Sequence, residues 1–409
     1  MSNNTSYPLY NINRLPNLIL LIFLSAIWFS SIFSNFIPFN TEIFPWGIFA
    51  FFFLRVNKII TMILLLMICL LYTYALFINV SLAEFLRAYG PIFNILLIVS
   101  LINELDVESK IRIVKLSILL ALLLNYFLLF LEIFDLDKIT YYFFPARADE
   151  PGFINFSYNN RFNLLTPEPS RASVHLFSLG VASLLVFKKN HFFLINLLID
   201  LIFIRSLMGF SLWSTYFILF KFRYLIFALL SLPILLSLNF FDFDIRALSI
   251  INSLINFDIS VIRDIVYYSG HRLVSIMMAY ELILQNPLGY GFVDNSKILQ
   301  EFYQNNYFFY NQFLEPTQMQ KMFDNGGGNL VSIYFNILFS LGIIGLIINI
   351  FIIYKIFQNT NNLSRKFKVA LYTSLIFGIF LIDKGVTDYW IMVTYIKIFY
   401  NQKMINDFS

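Results

Sequence analysis

Charge is scarce in this chain. Of 409 residues, 13% are Asp, Glu, Lys or Arg, 59% are hydrophobic, and mean hydropathy is +0.74. A soluble globular protein carries roughly twice that share of charge, so a soluble enzyme and a disordered chain are both disfavoured. The net charge of +4 is spread thinly and forms no basic patch, which argues against nucleic acid as a partner. Cysteine is reduced to Cys69, inside a hydrophobic run, so no internal disulfide exists and the redox compartment is not readable. Histidine is nearly absent as well. His175, His191 and His271 lie far apart, with no H-E-x-x-H and no Cys/His cluster, so no metal centre is expected. Walker A and dinucleotide-binding sequences are missing, so neither ATP-driven nor redox work is indicated and no cofactor is expected. No internal repeat or low-complexity tract stands out.

What the chain has in abundance is long apolar stretches. A membrane-crossing helix needs ~20 mostly apolar residues, so the apolar content matches about twelve spans, within a range of roughly ten to thirteen. The expected spans are 16–38, 43–54, 59–80, 83–102, 112–134, 171–187, 191–208, 209–220, 224–240, 329–354, 369–382 and 389–400. Three of them (43–54, 209–220 and 369–382) are short, which suits broken or re-entrant helices. The first is too long for a signal-peptide core and no A-x-A site follows it, so it reads as an uncleaved span. The expected fold is therefore all-α, a polytopic membrane bundle.

Orientation follows from Lys and Arg in the short connections. Arg55 and Lys58, then Lys110, Arg112 and Lys115, then Lys188 and Lys189, then Lys221 and Arg223, and finally Lys355, Arg365, Lys366 and Lys368 all fall on the side of both termini. That side is expected to be the cytoplasm. The chain then divides into N-terminal spans (1–134), a first outer loop (135–170), central spans (171–240), a large outer loop (241–328) and C-terminal spans (329–409). Loops of this size that are not flexible linkers are usually functional.

The large loop has internal pattern. Asp258 to Tyr268 reads as a short amphipathic helix with Asp258 as N-cap and Gly270 beyond its end. A second helix is expected from about Arg272 to Gln285, stopped by Asn286-Pro287-Leu288-Gly289. Its apolar positions Leu273, Ile276, Met277, Tyr280 and Leu284 recur at helical spacing. Such helices belong on the membrane surface or against the bundle.

Three stretches hold most of the residues that could carry chemistry. The first loop ends Asn160-Arg161-Phe162-Asn163-Leu164-Leu165-Thr166-Pro167-Glu168-Pro169-Ser170-Arg171. One reading is a helix start, with Pro169 at the first helical position and Glu168 complementing the dipole. The other puts a carboxylate and two guanidiniums at the membrane surface beside an anion-friendly helix end. In the second loop, Ser269-Gly270-His271-Arg272 opens a helix, and an arginine in a first turn opposes the macrodipole unless an anion sits there. Arg263 stands upstream and could join it. A snorkelling surface arginine is the plain alternative. The third stretch is Asp324-Asn325-Gly326-Gly327-Gly328-Asn329-Leu330, leading to Leu341-Gly342-Ile343-Ile344-Gly345. Its glycines permit a tight re-entry into the membrane, and Gly342 and Gly345 permit close helix packing.

Other charged positions rank lower. Asp135-Leu136-Asp137 and Asp242-Phe243-Asp244 match a D-x-D pattern that holds a divalent ion in some sugar transferases, but each sits where a span leaves the membrane, where solvated ends are the commoner reading. Glu84 and Arg87 are one turn apart and suit a pair. Asp200 and Arg205 bracket the end of the seventh span. Intramembrane ionisable groups usually face a bundle interior or polar cavity, so Arg87 and Arg205 are second-rank candidates for lining one.

Taken in order, three stretches resemble the bacterial O-antigen polymerase and ligase superfamily. They are Arg161 with Glu168-Pro169-Ser170 at a span start, Gly270-His271-Arg272 with Asn286-Pro287-Leu288-Gly289-Tyr290-Gly291, and Asn329 with Leu341-Gly342-Ile343-Ile344-Gly345. The topology agrees along most of the chain, while the motifs cover about a tenth of it. The resemblance implies a metal-independent glycosyltransferase with a GT-C-like membrane fold, acting on undecaprenyl-diphosphate-linked oligosaccharides at the periplasmic face of the inner membrane. It implies catalytic roles for Arg161, Glu168 and Arg272, with Glu168 as base or as the group orienting an arginine. It implies substrate contacts from Arg171, Arg263, His271, Tyr290, Asp324 and Asn329. A chain-length regulator protein is a further implied partner.

Ligases of this superfamily place a histidine directly before the asparagine that opens the span after the long loop. Here that residue is Gly328, which favours a repeat-unit polymerase over a ligase. A lipid-linked oligosaccharide flippase fits twelve spans equally well. Transporters more typically show short loops, broken helices near the midplane and two related halves, so the long second loop argues against one.

Overall fold

The computed structural model describes residues 107–134, 169–187, 190–204, 206–220, 271–291, 295–311, 332–358 and 365–380, with Leu164 and isolated positions near both ends of the chain. Among the described residues every regular element is helical. We number them α1 (Val107–Ile133), α2 (Pro169–Phe187), α3 (His191–Ile199), α4 (Leu207–Phe220), α5 (His271–Gln285), α6 (Asn295–Asn305), α7 (Tyr307–Tyr310), α8 (Ile333–Gln358) and α9 (Arg365–Phe380). A π-helical turn, Asp200–Ile204, continues α3.

Local chemistry sets several of these boundaries. Proline opens α2, where its missing N–H leaves no bond unmade. Ser206 caps α4, accepting the Gly209 N–H on its hydroxyl at 2.9 Å, and Ser332 does the same for the Phe335 N–H at 3.3 Å at the start of α8. Asn286-Pro287 ends α5 after Gln285.

The helix α2 sits at the centre of a bundle, packed against α1, α3, α4 and the π turn, with α9 closing against α4 and α8. Five of its buried side chains are small, Ala172, Ser173, Ser178, Ala182 and Ser183, set among larger apolar ones such as Leu176 and Leu179. Small residues let membrane helices approach closely. At Gly180 an added Cβ would come 3.3 Å from the Phe193 ring. Around this seam pack Ile118 and Leu122 of α1, Phe177 of α2, Phe193 of α3, and Trp213 and Tyr216 of α4. His175 belongs to this core, its ring 5.2 Å from that of Phe29 and 6.2 Å from that of Trp28.

The outward faces are apolar too. Leu123, Phe127 and Phe130 of α1 and Ile343, Ile347, Ile350 and Phe351 of α8 are exposed. Among the described residues two helical segments, Ile111–Ile133 and Tyr334–Phe351, are long and apolar enough to cross a membrane. The expected spans 112–134, 171–187, 191–208, 209–220, 329–354 and 369–382 fall on α1, α2, α3 with its π turn, α4, α8 and α9. The remaining spans lie wholly or largely outside the described residues, as do the expected helix 258–268, both D-x-D patterns, Glu84, Arg87 and Arg205.

A second cluster gathers α5, α6 and α7. Val274, Met278 and Leu282 of α5 pack with Leu299, Phe302 and Tyr303 of α6, Tyr310 of α7 and Phe339 of α8. The expected apolar stripe on α5 is divided between this cluster and the outside. Ile276 is buried, but Tyr280 and Leu284 are exposed, and the buried ridge runs through Val274, Met278 and Leu282.

Candidate functional site

The first-loop motif is anchored at Leu164. This residue has φ of 48°, a left-handed conformation that is uncommon outside glycine, and its side chain is fully buried. Its N–H donates to Oε1 of Glu132, in the last turn of α1, at 2.8 Å. The side chain packs among Leu129, Ala172, Leu176, Ile199 and Ile204. Leu164 lies between Arg161 and Glu168 in sequence, and is itself held against the bundle beside α2. Strained backbone of this kind persists where surrounding packing imposes it.

Directly beneath the first turn of α2 is a buried carboxylate. Asp200, 1% exposed, accepts a hydrogen bond from the Ser173 hydroxyl at 2.6 Å on Oδ1 and from the Trp213 indole N–H at 2.6 Å on Oδ2. Ser173 also meets Ser206, which caps α4. One side chain thereby ties α2, the π turn and α4 together. Asp200 continues the buried face of Phe193 and Asn196 on α3 and opens the π turn, an irregularity frequent at functional sites. A buried charge or acid left without these donors would be strongly unfavourable.

The second and third motif stretches meet. Gly342 lies inside α8 with φ of 55° and ψ of −131°, so this span is broken there. The turn after α5 fills the break. Tyr290 N–H donates to Phe339 O at 3.0 Å, Gly291 N–H to Ser340 O at 2.9 Å, and Ile343 N–H to Pro287 O at 2.9 Å. Gly289 has φ of 85°, and the side-chain amide of Asn286 donates to its carbonyl at 2.9 Å. Carbonyls and amides released by a helix break need such partners wherever water is excluded. Tyr290, expected to touch substrate, stacks on Phe339 with centroids 4.8 Å apart and donates its hydroxyl to Leu282 O at 3.1 Å. Its visible partners are therefore those of a turn-locking residue.

At the other end of α5, His271 and Arg272 stand in the first turn with no acidic residue there. Two basic residue types at a helix amino end make a positive terminus. Arg171 lies in the first turn of α2 and is half-buried. Arg161, Glu168, Arg263, Asp324 and Asn329 lie outside the described residues, and of His271 and Arg272 only the backbone is described. Among the described residues no group of His, Cys, Asp and Glu is placed to hold a metal ion.

On the loop helices, burial pushes the Tyr310 phenol above its ordinary range, and the neighbouring Glu281 carboxylate pushes it the same way. Sequence reasoning passed over Glu132 and Leu164. The available signal was an acidic residue near the end of an otherwise apolar run. For Asp200 the signal was noted, but not its partners Ser173, Ser206 and Trp213.

Comparison with known proteins returns no match, whether to a family model, a curated protein or a solved structure.

Proposed function

We propose that this chain is an integral membrane glycosyltransferase, an oligosaccharide repeat-unit polymerase. It joins undecaprenyl-diphosphate-linked units at the periplasmic face of a bacterial inner membrane, within a bundle of about twelve spans. Helices apolar on both sides support the membrane reading, because water does not tolerate such outer faces while lipid covers them. The observation that carries the functional reading is the union of two of the three motif stretches. Asn286 to Gly291 and Leu341 to Gly345 are far apart in sequence, yet they form one backbone-bonded unit.

In this reading an acceptor hydroxyl attacks the anomeric carbon of the donor. The carbon–oxygen bond to the diphosphate breaks, undecaprenyl diphosphate departs, and the acceptor proton passes to a base, assigned to Glu168. A diphosphate is already a good leaving group, so the protein mainly supplies positive charge at the departing oxygens and a held acceptor. Arg161 and Arg272 suit the first task, since a guanidinium binds phosphate oxygens in pairs and stays charged. Arg263 is the third choice. The anchor at Leu164 and the clasp after α5 each fix one end of a loop that bears these arginines.

Replacing Arg272 with Ala is expected to leave surface polysaccharide as single repeats while the protein accumulates normally. Long chains persisting in that variant would remove Arg272 from the mechanism.

One observation favours a transporter instead. The break at Gly342 and the buried Asp200 at a π turn are features of discontinuous helices that bind substrates and ions. At Gly342, however, the clasp occupies backbone groups that a transporter would present to its cargo. A null strain separates the two readings: lipid-linked repeats accumulate in the outer leaflet if a polymerase is lost, and in the inner leaflet if a flippase is lost.

A further inference from the structure

The two helices of the large loop face different surroundings. On α6 the exposed positions are Lys297, Glu301, Gln304 and Asn305, a set suited to water. On α5 and its following turn they include Tyr280, Leu284 and Leu288, the last two 63% and 81% exposed. Tyr280 and Leu284 lie one turn apart on one side of the helix, and Leu288 extends this exposed apolar ridge into the turn that follows. The opposite side of α5 is already filled by α6 and α8, so the ridge is a second apolar face. A helix apolar on both faces is not at rest in water.

The ridge also leads somewhere. Leu288 follows Pro287, whose carbonyl accepts the Ile343 N–H at 2.9 Å. Ile343, Ile344 and Ile347 continue along the exposed side of α8, one of the two helices able to cross a membrane. The apolar surface is therefore continuous from α5 onto a span. With 15 residues, α5 is too short to cross by itself. Only Gln285 interrupts the exposed ridge with a polar group, at the helix end, where a long side chain can reach outward.

We propose that α5 and its turn are a membrane-embedded element, with the Tyr280–Leu284–Leu288 ridge against the acyl chains of the bilayer and continuous with the lipid-facing side of α8. The clasp makes this depth tolerable. Irregular backbone within a bilayer must find its partners inside the protein, and each of the two breaks supplies them to the other. The first turn of α5, with His271 and Arg272, then stands at the level of lipid phosphates. This inference rests on the membrane reading above, and deepens it by moving α5 and its turn from the membrane surface into the acyl region.

Full-length protein reconstituted alone into phosphatidylcholine vesicles tests it. Cys69 is the single cysteine, so Cys69→Ala gives a clean background. Tyr280→Cys, Leu284→Cys and Leu288→Cys are each labelled with an environment-sensitive fluorophore, then quenched by doxyl-labelled lipid or by aqueous iodide. Phe127→Cys on α1 and Ile347→Cys on α8 report the membrane, and Gln304→Cys on α6 reports water. The expected result is lipid quenching at 284 and 288 equal to that at 347, with iodide quenching confined to 304. If 127 and 347 are lipid-quenched while 284 and 288 respond to iodide, the embedding is wrong and the membrane reading stands. If 127 and 347 also respond to iodide, the membrane reading itself fails. Shielding of 284 and 288 from both quenchers means another protein surface covers them, and overturns the proposal. All three loop positions are exposed, so cysteine there removes no core packing, and any one that assembles gives the answer.

Discussion

Gly342→Ala is the sharpest perturbation of the architecture. At φ of 55° and ψ of −131° an L-residue is strained by roughly 1–3 kcal/mol whatever its neighbours. The neighbours make it worse. A Cβ at 342 would lie 2.5 Å from the Leu288 carbonyl carbon and 2.6 Å from the Gly289 nitrogen, and nearer still to the Pro287 oxygen. All of these are backbone atoms, so no side chain can swing away, and the clasp must open. Its three hydrogen bonds contribute about 1 kcal/mol each, more where the separated groups cannot reach water. Strain and lost bonds together come to about 4–6 kcal/mol. Purified protein in detergent should melt several degrees lower, and the segment around residues 286–291 should be cut faster by protease. Gly180→Ala is the matched control. Its Cβ would meet only side-chain atoms, at 3.3 to 3.6 Å, so a small rearrangement of Phe193 absorbs it. An unchanged melting temperature for Gly342→Ala, or an equal loss for both variants, would refute the argument that the break is held by the clasp.

Three further perturbations follow from the described contacts. Glu132→Ala removes the acceptor of the Leu164 N–H and should lower stability by about 1–3 kcal/mol, whereas Glu132→Gln, which keeps an acceptor oxygen, should lose less in the same melt. Asp200→Ala leaves the Ser173 hydroxyl and the Trp213 indole N–H without their carboxylate acceptor and should destabilise by about 1–3 kcal/mol, whereas Asp200→Asn, which keeps an acceptor oxygen, should lose less, read as thermal inactivation; equal losses would contradict the tie through Asp200. The raised Tyr310 phenol gives an alkaline limb: the unfolded chain ionises near pH 10 while the folded one stays neutral, so stability is constant below that pH and falls above it. Tyr310→Phe should make this limb shallower in alkaline melting curves, the remaining slope coming from the other buried tyrosines, Tyr303 among them.

Local signals marked where helices begin and end, because capping and proline chemistry act over a few residues. Pro169 opening α2 and Asn286-Pro287 closing α5 are of this kind. Which side of a helix is buried was another matter. The stripe Leu273, Ile276, Met277, Tyr280 and Leu284 reads as an apolar face for the membrane surface or the bundle alike, and the ridge that meets α6 and α8 runs through Val274, Met278 and Leu282. In a helix apolar all round, periodicity cannot separate the face that meets protein from the face that meets lipid. That distinction depends on α6 and α8, which are distant in the chain. The glycines show the same limit. Gly342 and Gly345 read as permitting close packing, but a break needs a partner turn to satisfy its backbone, and nothing near residue 342 announces that residues 287–291 will supply it. Asp200 was visible as an acidic residue in an apolar run, whereas its donors came from two other helices.

The same physics accounts for where the candidate site stands. A bundle that must satisfy every backbone group internally can afford irregular chain only where two irregularities meet, or where a side chain intervenes. Both devices occur here, and both adjoin stretches that carry the candidate arginines. Glu132 holds the bent backbone at Leu164, between Arg161 and Glu168. The turn after α5 holds the break in α8 and fixes the helix that begins with His271 and Arg272. Rigid anchoring of otherwise irregular loops is what a reaction needs when it depends on placing positive charge at a departing diphosphate, since catalysis by orientation is lost when the groups drift by an ångström or so. On the proposed polymerase reading, loosening either anchor should therefore shorten the polymer before it unfolds the protein. Glu132→Ala at a temperature where the chain remains folded is the variant that distinguishes the two effects: normal chain length in that variant would make the Leu164 anchor a stabilising feature alone.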